Sequence, residues 1–460
     1  MLQADKLQQD PRVVAAKQTL LEAVREHSTA ITGPKPPDPK HTAQFRAQSE
    51  ESNDVRGRGL ALPYLASGIG NGAWVELTDG SVKLDFISGI GVHILGHSHP
   101  LIVESGIDAA LTDTVMQGNL QMAYDSIELG RLLLDLANQN GAALGHCFLS
   151  TSGAMANENA LKVAFQNKAP ASRVLAFEGA FAGRSMATCQ ITARAAYRKG
   201  LPVTLNVDRV PYFDHQAPKG STKAALDAIE KHLAAFPGEH ALMVVEPILG
   251  EGGFYPGSST FFEAIMTRLH DAGVLIFMDE VQSFGRTSMP FAFQHFGLDR
   301  FADIVSIGKM TQVCATLYRP ELNPDPALLS QTFTASTSAI RAALAILNEF
   351  QNGDYFGPEG KILRLGSHFA KRLGELAEKH PDLLEGPFGL GGMVGMTPFG
   401  GDPKKAMPFV KQLFTNGLMG FPAGKEPARV RFLLPYGAID EQEIDVAVGL
   451  IEKTLIEFQS

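Results

Sequence analysis

Cysteine is scarce in this sequence: Cys147, Cys189 and Cys314 are the only three among 460 residues. None sits in a CxxC pair, and a sparse, odd count builds no disulfide framework. That usage points to a reducing compartment, the cytoplasm, and away from a cysteine-based zinc site. Charge is thin too. Asp, Glu, Lys and Arg make up 19% of the chain, below the usual fraction of about a quarter. The formal net charge is −9 and no block of Lys and Arg occurs, which excludes the basic surface a nucleic-acid partner needs. No apolar run approaches the ~18 residues of a membrane-spanning helix, so no membrane partner is expected. The opening MLQADKLQQDP lacks the apolar centre of a signal peptide. Neither GxGxxG nor GxxxxGK[ST] is present, so dinucleotide and Walker-type phosphate loops are not expected.

Glycine, by contrast, is plentiful at 46 residues, one in ten against a typical ~7%. Low charge with high glycine suits a large α/β enzyme or an obligate oligomer, in which much surface is close-packed.

Along the chain, residues 1–60 are the most polar. Asp10-Pro11 reads as a helix start, followed by apolar residues at helical spacing from Val13 to Val24. GPKPPDPK (33–40) reads as an extended linker. This polar arm fits either disorder or docking on a partner subunit. WVELTDGSVKLDFIS then shows two alternating runs around Asp79-Gly80, a hairpin signal. Beyond it, short apolar runs at 146–149, 173–178, 203–209, 241–246, 274–279 and 304–307 alternate with helical patterns at 101–115, 125–137, 154–167, 222–235 and 259–271. Unbroken apolar strands between helices predict an α/β fold with a mostly parallel sheet buried on both faces. Such sheets bind ligands at the carboxyl ends of their strands. Helices at 337–350, 360–379, 403–415 and 441–457 enclose the glycine-rich stretch 386–400 and RVRFLLP (429–435), a smaller α+β pattern. The expected division is 1–72, an arm and part of a small domain; 73–336, a large domain; and 337–460, the rest of the small domain.

Two polar features have weak functional readings. His97 and His99 in GHSHP would share one face of a strand and could take a metal. The adopted reading is a polar approach to a helix starting at Pro100, with no metal site. Asp279-Glu280 ends the run AGVLIFMDE, where such a pair can hold Mg²⁺, yet no phosphate loop accompanies it. More telling is a combination. FLSTSGAMANENALKVAF (148–165) is a strand, a small-residue turn and a helix, with Ser152-Gly153-Ala154 opening the helix. An ordinary N-cap explains it, and so does an anion on the helix's free N–H groups. Lys309 follows the buried strand 304–307, and Asp279 ends another. A lysine, an acid at a strand end and a phosphate turn are the parts needed to hold pyridoxal phosphate.

With these residues the sequence resembles the class III (ω-amino acid) aminotransferases, of the pyridoxal-phosphate-dependent fold type I. The resemblance runs through GHSHP, SGAMANENALK, AFAGRS, EPILGEGG, DEVQSFGRT, GKMTQV, TFTASTSAIRAALAIL and RVRFLLP, in family order. It implies a large domain, whose mostly parallel sheet is flanked by helices, plus a smaller α+β domain. It implies that Lys309 bonds the aldehyde of pyridoxal 5′-phosphate and then moves protons, and that Asp279 pairs with the ring nitrogen. Phe181 and Val281 are implied on the two ring faces, Gln282 near the ring hydroxyl, and Ser152, Gly153 and Ala154 on the phosphate. Thr332 matches a threonine that reaches the phosphate of the neighbouring subunit, which implies a homodimer with shared active sites. For substrate, the resemblance implies Ile90, Arg184, Glu251 and Arg431, with Arg431 taking a carboxylate and Glu251 neutralising that arginine when an amine end is bound.

Four departures concern the loops. Met155 replaces the Glu usual in SGxEAN, Ala182 replaces the His or Trp usual before GR, EVQSFGRT is one residue short, and Cys314-Ala315 stands where many members are glycine-rich. The nearest look is to lysine 6-aminotransferases and, through Ile90, to 4-aminobutyrate aminotransferases. The expected activity is transfer of a terminal amine, such as that of L-lysine or 4-aminobutyrate, to a 2-oxo acid acceptor, 2-oxoglutarate. The alternatives are an aminomutase or decarboxylase on the same fold, or a non-catalytic relative that binds the cofactor.

Overall fold

The computed structural model of the chain describes residues 1–459. It forms two compact units, one made of Met1–Thr112 together with the segment from Arg364 onward, the other of Asp113–Leu363.

The second unit is built on a seven-stranded sheet. Its strands are β1 (His146–Ser150), β2 (Arg173–Phe177), β3 (Asn206–Val210), β4 (His240–Val245), β5 (Leu275–Asp279), β6 (Ile304–Ile307) and β7 (Cys314–Tyr318). Their spatial order is β1-β7-β6-β5-β4-β2-β3. The central segments HALMVV, LIFMD and IVSI are buried at every position, as strands covered on both faces must be. Neighbours from β6 through to β3 run parallel. β7, for which the sequence pattern predicts no strand, is antiparallel to both β6 and β1. It has a positional effect. Ala315 on β7 lies opposite Ile307 of β6 and Leu149 of β1, so the carboxyl ends of β1 and β6 open on the same edge of the sheet. Helix α1 (Gly153–Asn167) starts directly after β1.

The first unit holds two four-stranded sheets. One sets the meander Ala66–Asn71, Trp74–Leu77 and Val82–Asp85 beside Leu418–Met419, and the other joins Leu384–Leu390, Met393–Pro398, Arg429–Leu433 and Phe421–Ala423. The expected hairpin is present, with Glu76 opposite Val82. Asp10 caps the helix Pro11–Thr29 by accepting from the Arg12 N–H. The chain stays extended only as far as Asp38, which caps a further helix, Pro39–Arg56.

The compact units divide after Thr112 and after Leu363, and long-range pairing accounts for both places. Val82–Asp85 pairs in parallel with Leu418–Met419, which ties the hairpin to the C-terminal segment. Helix Thr337–Asn352 stays with the sheet unit. Ala335 pairs with Gln117, the Thr337 N–H donates to the Val115 carbonyl at 2.9 Å, and Arg341 meets Asp125 at 3.0 Å. Among the described residues no helix is long and apolar enough to cross a membrane, and no group of His, Cys, Asp and Glu could hold a metal ion. His97 meets Asp85 at 3.1 Å, and His99 precedes the helix Pro100–Ala110.

Candidate active site

The floor of the site is where β5 and β6 end. Asp279, the last residue of β5, lies opposite Ser306 in parallel register, and Lys309 comes three residues later on the same neighbouring chain. Gly308 is extended, then Lys309 takes a φ of +56°. The left-handed region costs a non-glycine residue about 1–2 kcal/mol, and such residues cluster where function over-determines the backbone. Asp279 is buried. Its carboxylate accepts from Asn157 Nδ2 at 2.6 Å, from the Val281 N–H at 3.1 Å and from Ser306 Oγ at 3.4 Å. Burial pushes its pKa up, opposed by these hydrogen bonds and by the charge of Lys309.

The N-terminus of α1 forms one wall. Ser152 Oγ accepts from the Met155 N–H at 3.2 Å, a side-chain N-cap. The first N–H groups of the helix point beyond the turn, where an anion is stabilised. Met155, in place of the family's Glu, is exposed and takes part in the cap only through its backbone. Val281 packs between two glycines. A Cβ on Gly153 would stand 2.7 Å from Val281 Cγ1, and one on Gly308 would stand 3.4 Å from it. Gln282 is buried against Gly250, whose Cβ would come within 2.6 Å of Gln282 Nε2.

The opposite wall is the loop after β2. Phe181 is half-buried. Its N–H donates to Glu246 Oε1 at 2.8 Å, and the Gly250 N–H donates to Glu246 Oε2 at 3.1 Å. Asn157 Nδ2 donates to the Ala182 carbonyl at 2.8 Å as well as to Asp279. Glu246 follows β4 directly, one residue past the Met278–Val245 pair, so it neighbours Asp279. Burial raises the Glu246 pKa, and the negative charge of Asp279 raises it further. Of two adjacent buried acids, Glu246 is the one held toward its neutral form, which leaves Asp279 as the anion. Arg184 is exposed, with its guanidinium carbon 3.8 Å over the Tyr197 ring. Glu251 is half-buried in the turn closed by the Gly253 N–H on the Gly250 carbonyl.

Within the sheet unit, then, Val281 lies against both Gly153 at the start of α1 and Gly308 beside Lys309, and Asn157 ties Asp279 to the loop that carries Phe181. Thr332 stands apart, exposed, and lines a surface cavity with Val115, Leu120 and Phe333. Ile90 and Arg431 lie in the other unit. Ile90 has a φ of +64°, and Arg431 is buried on the strand Arg429–Leu433 opposite Gly395 and Phe421. The sequence pattern gave no reason to single out Asn157, Glu246, Ser306 or Tyr197. Asn157 and Glu246 lie inside quoted motifs, but their contacts cross between strands and loops.

The donor set fits pyridoxal phosphate. A buried carboxylate at a strand end needs a cationic partner such as a protonated ring nitrogen. A capped helix N-terminus suits a phosphate, and the glycine at its first position lets Val281 pack directly against the turn. Comparison with known proteins agrees. The family model described as Aminotransferase class-III matches residues 56–455, and enzymes of that class depend on pyridoxal 5′-phosphate. The acetylornithine aminotransferase of Methanocaldococcus jannaschii is 28% identical over 85% of this chain and 93% of its own. Acetylornithine aminotransferase 1 of Bradyrhizobium diazoefficiens is 30% identical over 85% of this chain and 92% of its own. The lysine aminotransferase of M. tuberculosis, solved in the internal aldimine form, superposes with a TM-score of 0.78 at 26% identity, over 89% of this chain and 99% of that one. The shared architecture is fold type I of the pyridoxal-phosphate enzymes.

Proposed function

The chain belongs to the class III aminotransferases, and from that premise we propose that it moves a terminal amine from a small donor, of the lysine or 4-aminobutyrate kind, to 2-oxoglutarate in two alternating half-reactions. The observation that carries this reading is the pairing of Asp279 and Lys309 at adjacent strand ends beside the capped N-terminus of α1. Pyridoxal 5′-phosphate, when bound, supplies an aldehyde that captures amines and a ring that withdraws electrons from the substrate carbon. Asp279 holds a proton at the ring nitrogen, and Asn157 and Ser306 keep the carboxylate aimed. Lys309 would hold the cofactor through its aldehyde and, once freed, its Nζ would carry the proton taken from the substrate carbon. Ser152, Gly153 and Ala154 would hold the phosphate, Phe181 and Val281 the two faces of the ring, and Gln282 its hydroxyl. Arg184 and Arg431 are assigned to carboxylates, Glu251 to screening Arg431, and Ile90 to the donor side.

The names of the curated relatives favour a second donor, acetylornithine. Thr332 is assigned to the phosphate of a second copy, so the working unit is a homodimer, which we place in the cytoplasm given three free cysteines. The test is glutamate formation from 2-oxoglutarate with lysine, 4-aminobutyrate, ornithine and N-acetylornithine as donors. Turnover with a terminal-amine donor is expected. Consumption of a donor without glutamate would turn the reading toward an aminomutase or decarboxylase, and cofactor binding with no turnover toward a non-catalytic relative.

A further inference from the structure

Tyr197 sits in the short helical turn Ala195–Arg198, outside every motif of the site. Three side chains meet its ring. The Arg184 guanidinium carbon lies 3.8 Å over its face, Phe181 meets it nearly at right angles (89°) at 6.4 Å, and Arg194 approaches the ring at 5.4 Å. Arg194 also donates to the Tyr197 hydroxyl at 2.9 Å. Arg184 makes no hydrogen bond or ion pair among the described residues. A guanidinium whose carbon lies 3.8 Å over an aromatic ring has one face occupied by the ring, while its N–H donors stay available for another partner. With such donors an arginine takes a carboxylate through two parallel hydrogen bonds.

We infer that Tyr197 is a positioning residue for substrate specificity. Its ring holds Arg184 by one face of the guanidinium and leaves the N–H donors for the carboxylate at the far end of an amino-acid donor whose terminal amine reacts. The inference rests on the assignment of Arg184 to a substrate carboxylate and deepens it. An exposed arginine on a free stem samples many rotamers, and ordering it when substrate binds costs affinity. The ring removes that cost beforehand. Because Phe181 leans on the same ring, the carboxylate-binding group and a ring-packing group share one support. The contribution of Arg194 is to anchor the ring through its hydroxyl.

The experiment compares the best carboxylate donor of the panel with its primary amide, which keeps the reacting amine and loses the negative charge. In the unaltered enzyme the acid is preferred. Tyr197→Leu is expected to raise KM for the acid about two- to fivefold, with kcat and the KM of the amide essentially unchanged, in keeping with the strength of an exposed cation–π contact. Tyr197→Phe keeps the ring and is expected to retain the acid preference. Arg184→Ala should abolish that preference, and adding Tyr197→Leu to it should change nothing further. If Arg184→Ala erases the preference while Tyr197→Leu leaves it intact, the role of Tyr197 is overturned and the assignment of Arg184 stands. If Arg184→Ala leaves the preference intact, the assignment of Arg184 falls first. A loss of kcat with unchanged KM in Tyr197→Leu would mean the ring serves Phe181 instead, which also overturns the proposal.

Discussion

Lys309 and Asp279 depend on different kinds of support, and substitution should reveal both. Lys309 owes its place to a left-handed backbone after an extended glycine, so its amine is delivered by local chain geometry. Lys309→Ala should lose the visible absorbance of the lysine-bound cofactor and cut turnover by at least about a hundredfold, the low end for a general acid–base group. Transamination that survived at the wild-type rate would refute the assignment. The neighbour of Asp279, Glu280, is a different case. It is fully buried and accepts from the N–H groups of Ala292 and Phe293 at 2.8 and 2.7 Å and from Ser283 Oγ at 2.9 Å. Even so, burial pushes its pKa from 4.5 up to about 7. A raised acid favours folding in its protonated form, so its contribution is full below about pH 4.5 and is lost as pH rises through about 7. Glu280→Gln is neutral throughout. The stability advantage of wild type over Glu280→Gln in urea should therefore shrink between pH 5 and pH 8, by something on the order of 3 kcal/mol. A gap that stays constant with pH would rule this out. The two groups also differ in how far sequence reaches them. Lys309 and Asp279 were legible because each ends an apolar run. Asn157, Glu246 and Tyr197 were not, because what matters in them is a partner from another segment: Asp279, the Phe181 amide and Arg184 in turn.

At the scale of elements, the six expected strands, β1 to β6, lie within a few residues of their expected positions, and the central ones, β4 to β6, are buried at every position, the kind of strand that advertises itself in composition. β7 does not. CATLY is short, begins just past a left-handed Gln312 and mixes small with large residues, so local pattern cannot tell strand from loop there. The helix expected over 101–115 ends at Ala110, since 116–117 is drawn into pairing with 335–336. Long-range pairing overrides local periodicity in both places. A similar conflict sits within helix Lys361–Lys379. A Cβ on Gly366 would lie 2.1 Å from the carbonyl oxygen of Gly391, in the turn between the strands Leu384–Leu390 and Met393–Pro398. Alanine there gains helix propensity of about 1 kcal/mol but meets fixed backbone rather than a side chain that can rotate. Gly366→Ala should accordingly destabilise the protein by about 1–3 kcal/mol, the range for overpacking, read as a lower midpoint in urea. A stabilised variant would mean that the turn yields.

For the molecule as a whole, the decisive features are long-range pairing and unsatisfied apolar surface. The boundaries at 112 and 363 could not be read from composition, because they depend on Val82–Asp85 finding Leu418–Met419 and on Ala335 finding Gln117. What composition did carry was the low charge, and the sheet unit shows where that bears. Val115, Leu120, Met122 and Phe333 are 70%, 96%, 65% and 62% exposed, and Val115, Leu120 and Phe333 line one cavity together with Thr332. Large side chains concentrated this way are costly in water, and a contiguous apolar patch marks an interaction surface. A second copy is the occupant consistent with the proposed assignment of Thr332 to a partner's phosphate. The chain is therefore expected to run in solution at about twice its 49.4 kDa mass. Leu120→Glu combined with Phe333→Glu places charge within the patch and should yield monomers, since like charges cannot be buried unpaired across a symmetric contact. Those monomers should keep the far-ultraviolet circular dichroism of the parent and, if Thr332 serves a partner's phosphate as proposed, lose cofactor on gel filtration. Folded monomers that retained cofactor and full turnover would separate the patch from the site and leave Thr332 without a role in catalysis.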